Sequence, residues 1–257
     1  MDRGQNKTSC GFACGIVSGF GQSALFNAYD RAMYHSIVNS RPFLDPQNWR
    51  GNPFTGVSPS FLQRSFSAGL YFPLEDIFKR HVSSSYAVDG VLIGLIGGAF
   101  TTPFNAIKYA MWTGKSDVSV STTAIALLRE GGVTRLMRGV TPTLYRDMTF
   151  GLTYSLLRHQ GDEGFMINAQ AAFIATCFSS PFNYARMRIY GGLHAQSTYR
   201  ILFDWRSDVV KRSGLFRRIQ FVIRSLNMGW GALRVGLGMG IGSQIYNTCA
   251  HRFCNFS

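Results

Sequence analysis

The residues with the most chemical reach in this chain are its cations. Lys and Arg number 26 against 13 Asp and Glu, giving a formal charge of +13. Clustered guanidinium and ammonium groups can neutralise nucleic-acid phosphates or lie on an anionic lipid surface. Here they are not gathered in one tail. They stand in short groups, Arg135 to Arg138, Arg186 to Arg188 and Lys211 to Arg218, that interrupt apolar stretches. That distribution fits helix ends at a membrane interface better than a continuous basic groove, so nucleic acid is not an expected partner. Enzymatic chemistry has little support. There is no GxSxG, HExxH or P-loop, and His35, His81, His159, His194 and His251 are scattered. Cys10, Cys14, Cys177, Cys249 and Cys254 are odd in number and lack CxxC spacing, so neither a zinc site nor a disulfide framework is expected. No catalytic or metal-binding residue is assigned.

The elements that carry these charges emerge from an internal repeat. Leu25 to Asp30, Pro103 to Lys108 and Pro181 to Arg186 begin 78 residues apart, and Phe and Asn recur at the same two places in each. Each segment ends a run of small and apolar residues. Gly11, Gly15 and Gly19 precede the first, Gly90, Gly94 and Gly98 the second, Ala171 and Ala175 the third. Small residues four apart share a helix face and let neighbouring backbones approach closely in lipid. Gly56-Val57-Ser58-Pro59 and Gly139-Val140-Thr141-Pro142 form a second repeat, and a blurred third version lies around Gly229 to Arg234. Pro near a helix start is well placed, because its missing N–H would have been unpaired anyway.

Six membrane helices are therefore expected near residues 11–35, 58–80, 88–113, 140–160, 164–190 and 229–252. Ser119 to Arg138 reads as a short amphipathic surface helix. No run of 18 residues is purely apolar and the mean hydropathy is only +0.03, so hydropathy alone would leave the class open. Met1 to Ser9 has neither an apolar core nor an Arg-rich amphipathic stretch, so no signal peptide or presequence is expected there.

This pattern resembles the mitochondrial carrier family, whose odd-numbered helices carry a Pro-x-Asp/Glu-x-x-Lys/Arg motif. Pro103 to Lys108 and Pro181 to Arg186 are similar to it, with Asn in place of the acid. Glu130 to Arg146 is similar to the family's short matrix helix and the start of an even helix. The resemblance implies an all-α membrane protein of three tandem two-helix repeats, about 10–82, 86–161 and 163–255, within a single domain over 1–257. It implies a pseudo-threefold barrel of six transmembrane helices, with short matrix surface helices, as a multi-pass protein of the mitochondrial inner membrane. The chain is shorter than is usual for the family, which implies trimmed loops.

Site residues follow from the same resemblance. The matrix gate falls on Asn27, Asn105 and Asn183 at the acidic positions and on Asp30, Lys108 and Arg186 at the basic ones. No expected ion pair survives, although Asp30 could pair with Lys108 or Arg186 in a rearranged network. The opposite gate falls on Asp76, Lys79, His159, Asp162 and Asn247, again without a complete pair. Substrate-contact positions are Tyr71, Arg146 with Asp147, and Arg234. Two arginines facing a cavity would suit a carboxylate or phosphate, while the alternative is that Arg146 and Asp147 merely neutralise one another. Lipid-binding candidates are Arg138-Gly139, Trp112 with Gly114, and Trp49 with Gly51, where cardiolipin or another anionic phospholipid would bind. No other cofactor is expected.

Two functions compete. Loss of the ion pairs favours a structural accessory subunit with protein partners in a large inner-membrane complex, such as one of the respiratory chain. The alternative is an active carrier that moves a small anionic metabolite by alternating access; Arg146 and Arg234 favour it.

Overall fold

The structure, a computed structural model, describes residues 2–67, 85–114, 119–158, 165–192 and 196–253. Among these residues it is all-helical. The long helices are α1 (Asp2–Val38), α2 (described over 57–67), α3 (Tyr86–Thr113), α5 (Val140–Arg158), α6 (Phe165–Tyr190) and α9 (Met228–Phe253). Shorter helices α4 (Val120–Leu136), α7 (Thr198–Val210) and α8 (Leu215–Ser225) lie between them, with a single 3-10 turn at Pro46–Asn48. The helices expected near 88–113, 164–190 and 229–252 are met within a few residues, α1 begins well before residue 11, and the far ends of those expected near 58–80 and 140–160 lie outside the described residues. The surface helix expected in Ser119 to Arg138 is α4, interrupted at Gly131 and Gly132, the latter at φ +63°. Two further short helices, α7 and α8, lie between α6 and α9; the resemblance implied short surface helices without locating these two.

Three helix starts share one device. Gly56 and Gly139 adopt φ of +76° and +74°, and Asn227 adopts +47°. The carbonyl of each accepts the N–H four residues on: Ser60, Thr143 and Gly231. Left-handed backbone favours Gly or Asn, so these residues turn the chain sharply into α2, α5 and α9. The third start is therefore at Asn227, two residues before the Gly229 register expected from sequence. This moves the correspondence: Gln63, Arg146 and Arg234 each stand seven residues beyond such a start.

Neighbouring helices follow one another around a central cavity. α3 packs on α5, α5 on α6, α6 on α9 and α9 on α1. α2 is held to α1 by Phe20 against Phe61 (5.4 Å) and to α3 by Phe66 against Phe104 (5.4 Å). The glycine runs act where backbones cross. A Cβ on Gly90 would lie 2.3 Å from the Gly151 carbonyl, one on Gly94 2.3 Å from the Asp147 carbonyl, and one on Gly19 2.7 Å from the Ser65 amide. Helices approaching this closely gain dispersion contacts along their backbones, the main attraction available to helices in lipid.

Polarity is inverted relative to a water-soluble protein. Phe20, Leu25, Phe100 and Phe178 are each about 60% exposed on the outer faces, whereas Asn27, Asn105, Lys108, Arg186 and Arg234 are buried. Apolar side chains outside and charges inside suit a hydrocarbon solvent. By length and apolarity alone, α3 is the one helix among the described residues that qualifies as a membrane span. The other long helices are diluted by the polar residues they turn inward.

The cysteines correct the sequence reading. Cys14 on α1 and Cys249 on α9 form a disulfide across a separation of 235 residues. Spacing along the chain could not reveal it, because packing of the first helix on the last is what brings the two Cα atoms to 5.6 Å. Cys177 on α6 is a free thiol.

The close crossing of α3 and α5 is directly testable. Gly94→Ala forces a methyl into backbone and should cost ~1–3 kcal/mol, lowering the melting temperature of the detergent-purified protein by several degrees. Gly97→Ala, with no atom within 4 Å of its new Cβ, should leave the melting curve unchanged.

Candidate functional site

The helices enclose a cavity of about 360 Å³, a size suited to a small solute. Its charged lining comes from six described helices: Asp30 on α1, Arg64 on α2, Lys108 on α3, Arg146, Asp147 and Arg158 on α5, Arg186 on α6 and Arg234 on α9. The set includes two acids, so cations are in excess.

Asp30 is the centre of the largest network. Its carboxylate pairs with the Arg64 guanidinium on one side and with Arg234 on the other, where Nη2 donates to Oδ2 at 3.0 Å. Arg64 also donates to Gln22 Oε1 (3.3 Å), and Arg234 lies 4.9 Å from the centroid of Phe26. Pairing of Asp30 with Lys108 or Arg186 is thus replaced by pairing with two arginines. The reason is geometric: Arg64 and Arg234 sit on the helices that flank α1 and offer forked donors in the dehydrated space.

The three asparagines do different things. Asn27 is turned away from the gate, donating to the carbonyls of Pro53 (2.8 Å) and Thr55 (3.0 Å) and accepting from Ser60 Oγ (3.0 Å). It ties the turn before α2 to α1, so its assignment to the gate is corrected. Asn183 accepts from Arg186 Nη2 at 2.7 Å, within its own helix. Asn105 is fully buried and neither side-chain amide atom has a hydrogen-bond partner. Lys108 Nζ donates to Gln63 Oε1 at 2.6 Å.

Beside these cations lies an aromatic cluster that the sequence reading missed. Tyr34, Trp112 and Tyr190 keep the same 78-residue phase as the asparagines, and with Tyr109 they meet where α1, α3 and α6 converge. Ring centroids are 4.6 Å apart for Tyr109 and Tyr190, 4.9 Å for Tyr34 and Tyr109, and 5.6 Å for Tyr34 and Trp112. Trp112 is therefore a core residue whose Nε1 donates to the Thr55 carbonyl (3.0 Å), which corrects its assignment to lipid. The amide of Gly114 is spent on the Ala110 carbonyl at a helix C-terminus (2.9 Å). Trp49 is partly exposed against Phe43, and Gly51 adjoins the Arg31 guanidinium. Arg138 and Gly139 stand at the start of α5.

Of the substrate-contact positions, Arg146 and Asp147 form an ion pair at 2.5 Å, and both line the cavity along with Arg234. The two readings of Arg146 thus coincide: it is neutralised locally and still faces the enclosed space. Tyr71, Asp76, Lys79, His159 and Asp162 lie outside the described residues. Of the opposite gate only Asn247 is described, at the cavity's far end beside Tyr246. Arg64 and Gln63 were missed, yet the paired starts at Gly56 and Gly139 put Gln63-Arg64 in register with Arg146-Asp147.

The Asp30 network predicts a large cost for its removal. Asp30→Asn strands two nearly buried guanidinium groups and should destabilise the protein by ~3–5 kcal/mol, read as a fall in melting temperature. Adding Arg234→Gln should recover part of that loss, because one stranded charge goes with it.

Comparison with known proteins places the motif-bearing middle of the chain. The family described as "Mitochondrial carrier protein" matches residues 83–166. "Mitochondrial glycine transporter B" of Danio rerio is 29% identical over 128 residues, covering 47% of this chain and 45% of that protein. "Mitochondrial glycine transporter" of Xenopus laevis is 30% identical over 167 residues, covering 56% and 55%. The matched region thus spans about half the length of these relatives.

Proposed function

We propose that this chain, whose residues 83–166 match the mitochondrial carrier family, is a divergent member of that family and an active carrier of a small carboxylate-bearing solute. It resides in the mitochondrial inner membrane as a multi-pass protein. The observation that carries the proposal is the cavity of about 360 Å³ in which Arg146 and Arg234 occupy corresponding places. A scaffold has no use for an enclosed space lined by excess cations, and both relatives are transporters by name. The carrier reading therefore displaces the accessory-subunit reading that the lost gate pairs had favoured.

The barrel is read as three two-helix repeats. The starts at Gly56, Gly139 and Asn227, and the common phase of Tyr34, Trp112 and Tyr190, support that reading. Transport follows from competition. Asp30 clamps α1 to α2 and α9 through Arg64 and Arg234. A solute carboxylate entering the cavity takes hydrogen bonds from the same guanidinium groups, and the clamp loosens by what the solute gains. A solute that also carries an ammonium group, as glycine does, can place it against Asp147 or the released Asp30. Anionic phospholipid is proposed at the surface helices. α8 buries no residue and exposes Leu215, Phe216, Ile219 and Ile223 beside Arg217, Arg218 and Arg224, the composition of a helix lying in a headgroup layer.

Uptake by protein reconstituted in liposomes tests the proposal, with labelled glycine and small monocarboxylates as solutes. Arg146→Ala and Arg234→Ala should each reduce uptake at least ~10-fold, since a charge-assisted contact is worth ~1.5–3 kcal/mol. No uptake of any of them, together with co-migration of all the protein with a large assembly on native electrophoresis, would restore the accessory-subunit reading.

A further inference from the structure

Lys108 and Arg186 are the two cations that the carrier reading leaves without a countercharge. Both are about 95% buried and both line the cavity. Neither forms an ion pair among the described residues. Lys108 has the neutral Gln63 as acceptor, and Arg186 the neutral Asn183, while Nε and Nη1 of Arg186 have no hydrogen-bond partner. The two carboxylates of the cavity are already engaged, Asp30 by Arg64 and Arg234, Asp147 by Arg146. Tyr109 draws the two cations to one corner: its ring centroid is 5.1 Å from Lys108 Nζ and 5.8 Å from the Arg186 guanidinium carbon. An aromatic face attracts cations but carries no charge with which to neutralise two of them. One turn before Lys108, Asn105 is wholly buried with both amide atoms unpartnered. Buried polar groups left this way are costly, and native structures keep few of them without a purpose.

We propose that Lys108 and Arg186 form an oxyanion site, filled by a carboxylate or phosphate group that the chain itself does not supply. Arg186 donates from its free Nε or Nη1 and Lys108 from its remaining N–H groups. The bound anion then neutralises the corner where α3 and α6 meet the aromatic cluster. The ends of these helices close only when the site is occupied, because an empty site leaves two like charges beside one ring with no countercharge between them. The inference deepens the carrier reading, on which it rests, by adding a second dock that the solute's anionic group reaches on leaving Arg64 and Arg234.

Thermal unfolding of the full-length protein in detergent tests this without requiring transport. Sodium acetate and inorganic phosphate serve as probes, each against a bulky sulfonate salt at equal ionic strength. The wild type should show a saturable rise in melting temperature with at least one probe, on the order of 5 °C at a hundredfold excess over the dissociation constant. A response to acetate assigns the site to a solute carboxylate; a response confined to phosphate assigns it to free phosphate. Asn183→Asp places a carboxylate beside Arg186, so it should raise the anion-free melting temperature and abolish the response. Asn105→Asp is the second variant should the first fail to fold. Arg186→Gln should abolish the response without raising the starting value. A wild type indifferent to both probes, or a response of undiminished size in the Asp variant and in Arg186→Gln, overturns the inference. Uptake and anion response are independent readouts, so failure of transport and failure of this site are told apart.

Discussion

Every long helix of this protein turns charge inward, and the carboxylate of Asp30 makes that tolerable at the junction of first and last helices. Arg64 and Arg234 are nearly buried, and each would carry an uncompensated charge without it. Coulomb attraction is strong where water is scarce, but so is the penalty for any ion left alone. One acid facing two guanidinium groups is therefore a constraint on three helices at once. It fixes how far α2 and α9 can rotate about α1, and so how wide the cavity stands on that side. The Cys14–Cys249 disulfide adds a covalent tie between α1 and α9 nearer their other ends.

The adjoining corner of the cavity is built on different terms. Where α1, α3 and α6 converge, stacked and edge-on aromatic rings supply contact without charge neutralisation. Rings pack well against one another and against cations, yet leave the sum of charge unchanged. The cavity is thus asymmetric. One side is held by a chain-supplied ion network, and the other holds cations whose acceptors, Gln63 and Asn183, are neutral. An anionic solute meets a balanced site and an unbalanced one within the same small volume.

What could be read from sequence was whatever kept phase. The 78-residue interval located Asn105, Lys108, Asn183 and Arg186 and placed them inside apolar helices, as the structure does. The same interval ran through Tyr34, Trp112 and Tyr190, but differing side-chain types disguised a shared packing role. Asn27 kept phase but is turned to the loop before α2, because the carbonyls of Pro53 and Thr55 lie within its reach. The start of α9 was hidden because Asn227 performs with a side chain present what Gly56 and Gly139 perform without one. That substitution shifted the apparent register by two residues and concealed the kinship of Gln63, Arg146 and Arg234. The disulfide and Asp30's partners depend on which helices are neighbours, a fact that no local spacing contains.

The Asn-for-acid replacements take on a different meaning in this light. A gate closed by its own carboxylates is neutral in every state, and it opens by exchanging one internal partner for another. Asn183 and Asn105 are nearly the same size as aspartate but carry no charge, so they preserve the packing of α6 and α3 while removing the internal anion. Decay without purpose would be expected to remove the matching cations as well, since a buried lysine or arginine without a partner is costlier than any neutral replacement. Lys108 and Arg186 are retained, buried and facing the cavity. On the proposal made above, their presence marks a missing charge that is brought in from solution, as expected of a carrier that closes on its cargo rather than of a scaffold.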